Sequence, residues 1–208
     1  MTDAPDSTNE PNDFRDRDPE ARARALQSLL TEKGLLSSDA VDDVISTYEE
    51  EVGPMIGATV VARAWTDPDF KARLLEDGIE AVAELDVEVS DEVMELRVVE
   101  NTPETHNLVV CTLCSCYPWA VLGLPPTWYK TPAYRSRAVD EPRALLREEF
   151  DTEVPDDVEL EVWDSNSEIR YMVLPQRPPG TEGLSETELR DLVTRNAMIG
   201  VEIGRAHV

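Results

Sequence analysis

Cys111-Thr112-Leu113-Cys114-Ser115-Cys116 carries every cysteine of this 208-residue chain. Three thiols packed this closely make a metal claw, because soft thiolates select transition metals and the short spacing lets one ion reach all three sulfurs. The Cys114-Ser115-Cys116 end adds a second feature. With one residue between the cysteines, the amide nitrogens of Ser115 and Cys116 are carried towards the metal, where they can ligate once they lose their protons. Only a strongly Lewis-acidic ion stabilises two such amidates beside thiolates. The cysteines also admit other readings. Together with His106 they supply the Cys₃His set of a structural zinc site, although the second ligand cluster of a zinc knuckle is missing. Cys111 and Cys114 have the spacing of a thioredoxin-like redox pair, but Tyr117-Pro118 interrupts the helix that such a pair should open. His106 by itself reads as a loop or core histidine satisfied by hydrogen bonds.

Working outward, the claw lies within an ordered series of segments: Val60-Val61-Ala62-Arg63-Ala64-Trp65, Val99-Glu100-Asn101-Thr102-Pro103, His106-Asn107, Tyr117-Pro118-Trp119, Gly123-Leu124-Pro125-Pro126, Trp128-Tyr129-Lys130 and Leu174-Pro175-Gln176-Arg177-Pro178. This series resembles the metal-binding subunit of the nitrile hydratase family, and the likeness runs from Glu50 to Gly200. Thr112 and Tyr117 resemble the cobalt type; the iron type usually carries Ser and Thr there. Ala120 departs from the family, which often has Pro after the Trp, and the chain is shortened between Ala83 and Glu95.

The resemblance implies one low-spin Co(III) per chain, with Fe(III) the alternative, held by the sulfurs of Cys111, Cys114 and Cys116 and the amide nitrogens of Ser115 and Cys116. The cysteines matching Cys114 and Cys116 are oxidised in the family to sulfinic and sulfenic acid, early rungs of the thiol oxidation ladder. The implied activity is lyase chemistry, the hydration of a small nitrile to its amide. Cys116 is expected to act as nucleophile or base and Ser115 as orienting donor, with Tyr117, Trp119 and Arg170 around the pocket. Trp128 has the same two options as Tyr117 and Trp119, pocket wall or ordinary packing. A β subunit, in a heterodimer or heterotetramer, and a cobalt-inserting accessory protein are the implied partners. Thiocyanate hydrolase, which uses the same cobalt claw within the family, is the alternative activity. A non-catalytic zinc-binding interaction module is the alternative from another class.

Charge narrows the partners. The chain has 44 acidic and 19 basic residues, a net charge of -25, and only three lysines, Lys33, Lys71 and Lys130. So acidic a surface repels nucleic acid and anionic membrane. Spread along the whole chain, it is expected of a halophilic protein, since concentrated salt screens the self-repulsion; an acidic mesophilic protein is the alternative. No apolar run approaches a membrane span and Met1-Thr2-Asp3-Ala4 lacks the features of a signal peptide, so a cytoplasmic location is expected.

Oxidised cysteines carry anionic oxygens that call for Arg donors. No Arg lies within ten residues of the claw; Arg97 and Arg135 flank it at a distance, and Arg170 matches in register an arginine that the family places near the metal. The remaining donors are therefore expected from the second subunit.

Three segments are expected: 1–18, a disordered acidic N-terminus; 19–53, a helical arm docking on the partner subunit; and 54–208, the metal-binding catalytic domain. Asp18-Pro19 opens the first arm helix, with Leu26, Leu29 and Leu30 as its stripe, and a second runs from Ser38 to Gly53-Pro54. Further helices are expected from Pro54 to Trp65, from Asp67-Pro68 through Leu85, from Asp140 to Phe150, and from Ser185 to Arg195 with a Ser185/Glu188 capping box. Strands are expected at Glu95–Glu100, Val158–Asp164 and Ile169–Leu174, the last two as a hairpin through Ser165-Asn166-Ser167. The prolines 118, 125 and 126 predict a shaped loop from Trp119 to Trp128. The order of elements gives an α+β class, and the resemblance implies a layered α-β-β-α domain with the arm extending from it.

Overall fold

The computed structural model describes residues 19–35, 37, 54–85 and 95–203. The expectations for 1–18 and for the helix from Ser38 to Gly53 lie outside the described residues, as does most of the shortened stretch. The chain divides into two units. In the first, α1 (Pro19–Glu32) forms where the Leu stripe predicts it, and Gly34 follows with φ 67°. Leu26 and Leu29 on this helix are 58% and 48% exposed.

The second unit is built around α2 (Pro54–Thr66), whose residues Ala58, Val60, Val61, Ala62 and Ala64 are all buried. A helix apolar on nearly every side must be enclosed by other elements. The chain then turns twice on aspartates. Asp67 caps α3 (Pro68–Glu76) by accepting from the backbone of Asp69 and Phe70, and Asp77 caps α4 (Gly78–Ala83) in the same way through Ile79 and Glu80. Both helices pack on β1 (Glu95–Glu100).

Beyond β1 come β2 (Thr105–Val110), α5 (Trp119–Leu122), a 3₁₀ turn at Thr127–Lys130, α6 (Pro132–Asp140), α7 (Pro142–Phe150), β3 (Glu159–Asp164), β4 (Ile169–Leu174), α8 (Glu186–Arg190) and α9 (Arg195–Ile199). The strands form two parallel pairs, β1 with β4 and β2 with β3. Helices α3 and α4 lie against β1, α6 against β2 and α7 against β3, while α9 contacts both β2 and β4. This is the expected mixed, layered α+β architecture.

The hairpin is a correction. The strands at 159–164 and 169–174 exist, but they do not pair with each other. Ser165 N donates to Val110 O and so prolongs the ladder of β3 with β2, whereas Glu95 N donates to Glu168 O and starts the ladder of β4 with β1. The backbone groups a hairpin needs are thus already used by parallel partners, and the intervening turn, held by Asn166 Oδ1 accepting from Glu168 N and Ile169 N, carries the chain from one sheet to the other.

Smaller differences follow: the helix expected from Asp67-Pro68 through Leu85 is two helices, α3 and α4, because Asp77 ends one and caps the next. The expected helix from Ser185 is two helices: the Ser185/Glu188 capping box is present, α8 ends at Arg190, and Thr194 restarts the chain as α9 by accepting from Ala197 N. The proline-fixed segment from Trp119 contains one helical turn before Gly123 (φ 68°). Helix α6, capped by Thr131, and strand β2 are additional to the sequence expectation. Strand β2 is polar at its start, yet His106 and Asn107 are buried. Asn107 N and Nδ2 donate to Asn101 Oδ1, Asn107 Nδ2 also donates to Glu100 O, and Trp163 Nε1 donates to Asn107 Oδ1.

Candidate metal centre

Strand β2 delivers the claw: its last residue, Val110, precedes Cys111, and the chain returns through α5, α6 and α7 to lay β3 parallel beside β2. The six residues therefore stand at the carboxyl end of a parallel strand pair, the usual position for a ligand site in open parallel sheets. In register with Val110 is Asp164, and its carboxylate accepts from Thr112 N at 2.9 Å and Thr112 Oγ1 at 2.6 Å. Tyr129 Oη donates to Cys116 O at 3.0 Å. Arg135 on α6 donates to Leu113 O at 3.4 Å and to Ser115 Oγ.

Within this frame the sulfurs of Cys111 and Cys114 are 3.7 Å apart and those of Cys114 and Cys116 are 2.8 Å apart. All three lie within 4.8 Å of one another, and among the described residues they are the one group of three or more candidate metal ligands. An ion with metal–sulfur bonds of about 2.3 Å can bridge such separations. The donor set, three thiols gathered without a disulfide, fits a thiophilic transition metal. Ser115 has φ 70°, so the turn between Cys114 and Cys116 is left-handed.

The thiols differ in character. Cys111 is buried, which raises its pKa, but N–H groups of Cys114, Cys116 and Leu113 directed at its sulfur outweigh burial and lower it overall. Burial, reinforced by the Cys114 thiol, pushes Cys116 up to about 12, while the Arg170 charge acts in the opposite direction.

His106 is not part of the claw. Its Nε2 is 2.8 Å from Gly200 O and its Nδ1 3.4 Å from Asn101 Nδ2, and burial lowers its pKa: it is the hydrogen-bonded core histidine of the simpler reading. Arg97 pairs with Glu95 and lies over the Tyr171 ring. Arg170 donates to Asn166 O at the start of β4 and is close enough for its charge to act on Cys116. Tyr117 is buried edge-on to Tyr129 with ring centroids 5.1 Å apart, and burial holds its phenol above the ordinary range. Trp119 is half-buried, whereas Trp128 packs on Tyr134 and Phe150 with centroids 4.8 Å away in each case.

Asp164, Tyr129 and Arg135 are the site residues that sequence reasoning missed. Arg135 is distant from the claw along the chain but reaches it in the fold. Thr131-Pro132, a cap followed by a proline at the first helical position, is the signal that locates α6 and could have brought its arginine back towards the claw.

Residues 17–202 match the sequence family described as nitrile hydratase, alpha chain. The chain belongs to the nitrile hydratase α-subunit family. It is 59% identical to the cobalt-containing nitrile hydratase subunit alpha of Pseudonocardia thermophila, over 89% of this chain and 91% of that one. Among solved structures, a double mutant of the Fe-type nitrile hydratase of Comamonas testosteroni Ni1 is similar with a TM-score of 0.79 and 41% identity, covering 90% of this chain and 91% of that one. A recombinant thiocyanate hydrolase comprising partially modified cobalt centres is similar with a TM-score of 0.74 and 39% identity, covering 96% and 93%. Nitrile hydratase α-subunit membership implies a β partner. No helix among the described residues is long and apolar enough to cross a membrane.

Proposed function

We propose that this chain is the metal-binding catalytic subunit of a cobalt nitrile hydratase, a lyase that adds water to a small nitrile and is active only with its β subunit. The observation that carries the reading is the convergence of the three sulfurs within 4.8 Å in a chain 59% identical to a cobalt-containing subunit. Cys111, Cys114 and Cys116 hold the ion through sulfur, and Ser115 and Cys116 through main-chain nitrogen. Bound Co(III) supplies Lewis acidity towards the nitrile nitrogen. Cys114 would be carried as sulfinic and Cys116 as sulfenic acid. The Cys116 oxygen either takes a proton from the water whose oxygen bonds to the nitrile carbon, or itself bonds to that carbon and is then replaced from water. In both routes a C–N π bond opens and the water's two protons end on the amide nitrogen, with the Ser115 hydroxyl orienting the reacting oxygen. Tyr117 and Trp119 back the pocket, and Arg170 offers positive charge to the Cys116 side of the claw.

The arm, residues 19–53, docks on the β subunit; exposed Leu26 and Leu29 supply the apolar face on α1. Residues 54–208 form the catalytic domain, an accessory protein inserts cobalt, and the assembly, a heterodimer or heterotetramer, is cytoplasmic.

Co-expression of the chain with a β subunit in cobalt medium tests the reading. The expected result is nitrile-to-amide turnover, cobalt in the purified pair, and oxygen-bearing Cys114 and Cys116 by mass spectrometry, with no turnover by the isolated chain. Zinc with three unmodified thiols, or normal turnover by the isolated chain, overturns it. The second reading, thiocyanate hydrolysis, is favoured by the 39% identical thiocyanate hydrolase structure. A net charge of -25 disfavours an anionic substrate. Assaying the same pair on thiocyanate separates the two.

The same charge supports a salt-adapted protein. The midpoint of unfolding should rise as KCl is added, because screening relieves self-repulsion. Equal stability in KCl-free buffer rejects this.

A further inference from the structure

Ser115 sits at φ 70°, a conformation that a residue with a Cβ adopts at a cost and that persists where the surroundings impose it. The surroundings here include one guanidinium fork. Arg135 Nη1 donates to Leu113 O at 3.4 Å and Nη2 donates to Ser115 Oγ. These two acceptors flank Cys114, so a single side chain spans the middle of the claw. The base of the fork is firm. The preceding residue, Tyr134, is buried and its hydroxyl donates to Val109 O at 2.6 Å, which ties α6 to the strand that leads into Cys111. Arg135 is half-buried and its Nε is enclosed without a hydrogen-bond partner, so the root of the fork is packed against the protein while its two ends reach Leu113 and Ser115.

We propose that Arg135 is a positioning residue for the claw: it clamps Leu113 and Ser115, imposes the left-handed turn, and gathers the three sulfurs before any ion arrives. Arginine suits the task because two acceptors on different residues call for a rigid fork, whereas a lysine ammonium is a compact point charge on a flexible stem. The purpose of the clamp rests on the metal reading above, but the clamp itself is testable in metal-free protein. Cys111 is fully buried, so its alkylation requires the loop to open.

In the full-length chain prepared without cobalt, Arg135→Met should accelerate iodoacetamide labelling of Cys111 about tenfold, the loss expected for charge-assisted hydrogen bonds. Arg135→Lys should fall between Met and the parent. Ser115→Ala should accelerate labelling in the parent and add nothing in the Arg135→Met background, where the hydroxyl has already lost its partner. Unchanged labelling in Arg135→Met, or a Ser115→Ala effect of equal size in both backgrounds, overturns the proposal. A parent pair that takes up no cobalt overturns the metal reading and leaves the labelling result standing.

Discussion

Cys116→Ser in the co-expressed pair should lower nitrile hydration by at least about a thousandfold, the scale of losing a group in the reacting set. The substitution is close to isosteric, and Cys116 is only half-buried, so the fold should survive it. The Tyr129 hydroxyl still finds the main-chain carbonyl of residue 116, because that contact does not involve the side chain. What is lost is chemistry: a serine hydroxyl is a hard oxygen, a poorer match than sulfur for a thiophilic metal, and it cannot be oxidised to a sulfenic acid. The neighbouring Cys114 sulfur, 2.8 Å from Cys116 in the parent, is left with one sulfur companion, Cys111. Cobalt per chain should fall with activity while the melting temperature stays near that of the parent. Cys111→Ser should differ by losing stability as well, since Cys111 is fully buried and a hydroxyl there must be desolvated. A Cys116→Ser pair that keeps activity within tenfold of the parent would show that the reacting group lies elsewhere.

The claw was legible in sequence because its chemistry is local. Six consecutive residues hold all the cysteines, and no fold is needed to see that they converge. Helix starts were legible for the same reason: Asp67-Pro68 and Ser185 carry their caps within three residues. What holds the claw was not legible, because each support comes from a separate element. Asp164 is 52 residues from Thr112 and reaches it only through the parallel register of β3 with β2. Arg135 is 20 residues from Ser115 and reaches it because α6 folds back over β2. Strand β2 was hidden by Thr105, His106 and Asn107, whose polarity breaks the expected apolar alternation. The His106 and Asn107 side chains are buried in a hydrogen-bonded network with Asn101, Trp163 and the Gly200 carbonyl, which a one-dimensional pattern does not reveal. The hairpin failed on the same ground. Two neighbouring strands with a short polar connector normally pair, and only their separate parallel partners forbid it here.

That network also identifies the position most sensitive to a single added methyl group. Gly200 ends α9 with φ 88°, its N–H shared by the carbonyls of Asn196 and Ala197 while Val201 N returns to Asn196 O, a left-handed helix stop. A Cβ there would stand 1.9 Å from Asn107 O, 2.9 Å from its carbonyl carbon and 3.1 Å from Leu108 Cα. All three are backbone atoms of β2, so no rotamer change makes room. Asn107 cannot retreat either, since it is tied to Asn101, Glu100 and Trp163. Gly200→Ala must therefore push α9 off β2 and weaken the contact of His106 with the Gly200 carbonyl, at a cost of roughly 4 kcal/mol or more. For a domain of this size that corresponds to a melting temperature lower by roughly 8–16 °C. Gly180 provides the control: it has φ 81° but nothing within 4 Å of its Cβ position, so Gly180→Ala should cost only the left-handed strain, about 1–2 kcal/mol. Denaturant titration of both variants in metal-free protein compares them directly. Equal losses would mean that the close approach of α9 to β2 does not govern stability. A much larger loss at Gly200 means that the strand leading into Cys111 is fixed from behind by a glycine 89 residues further along the chain.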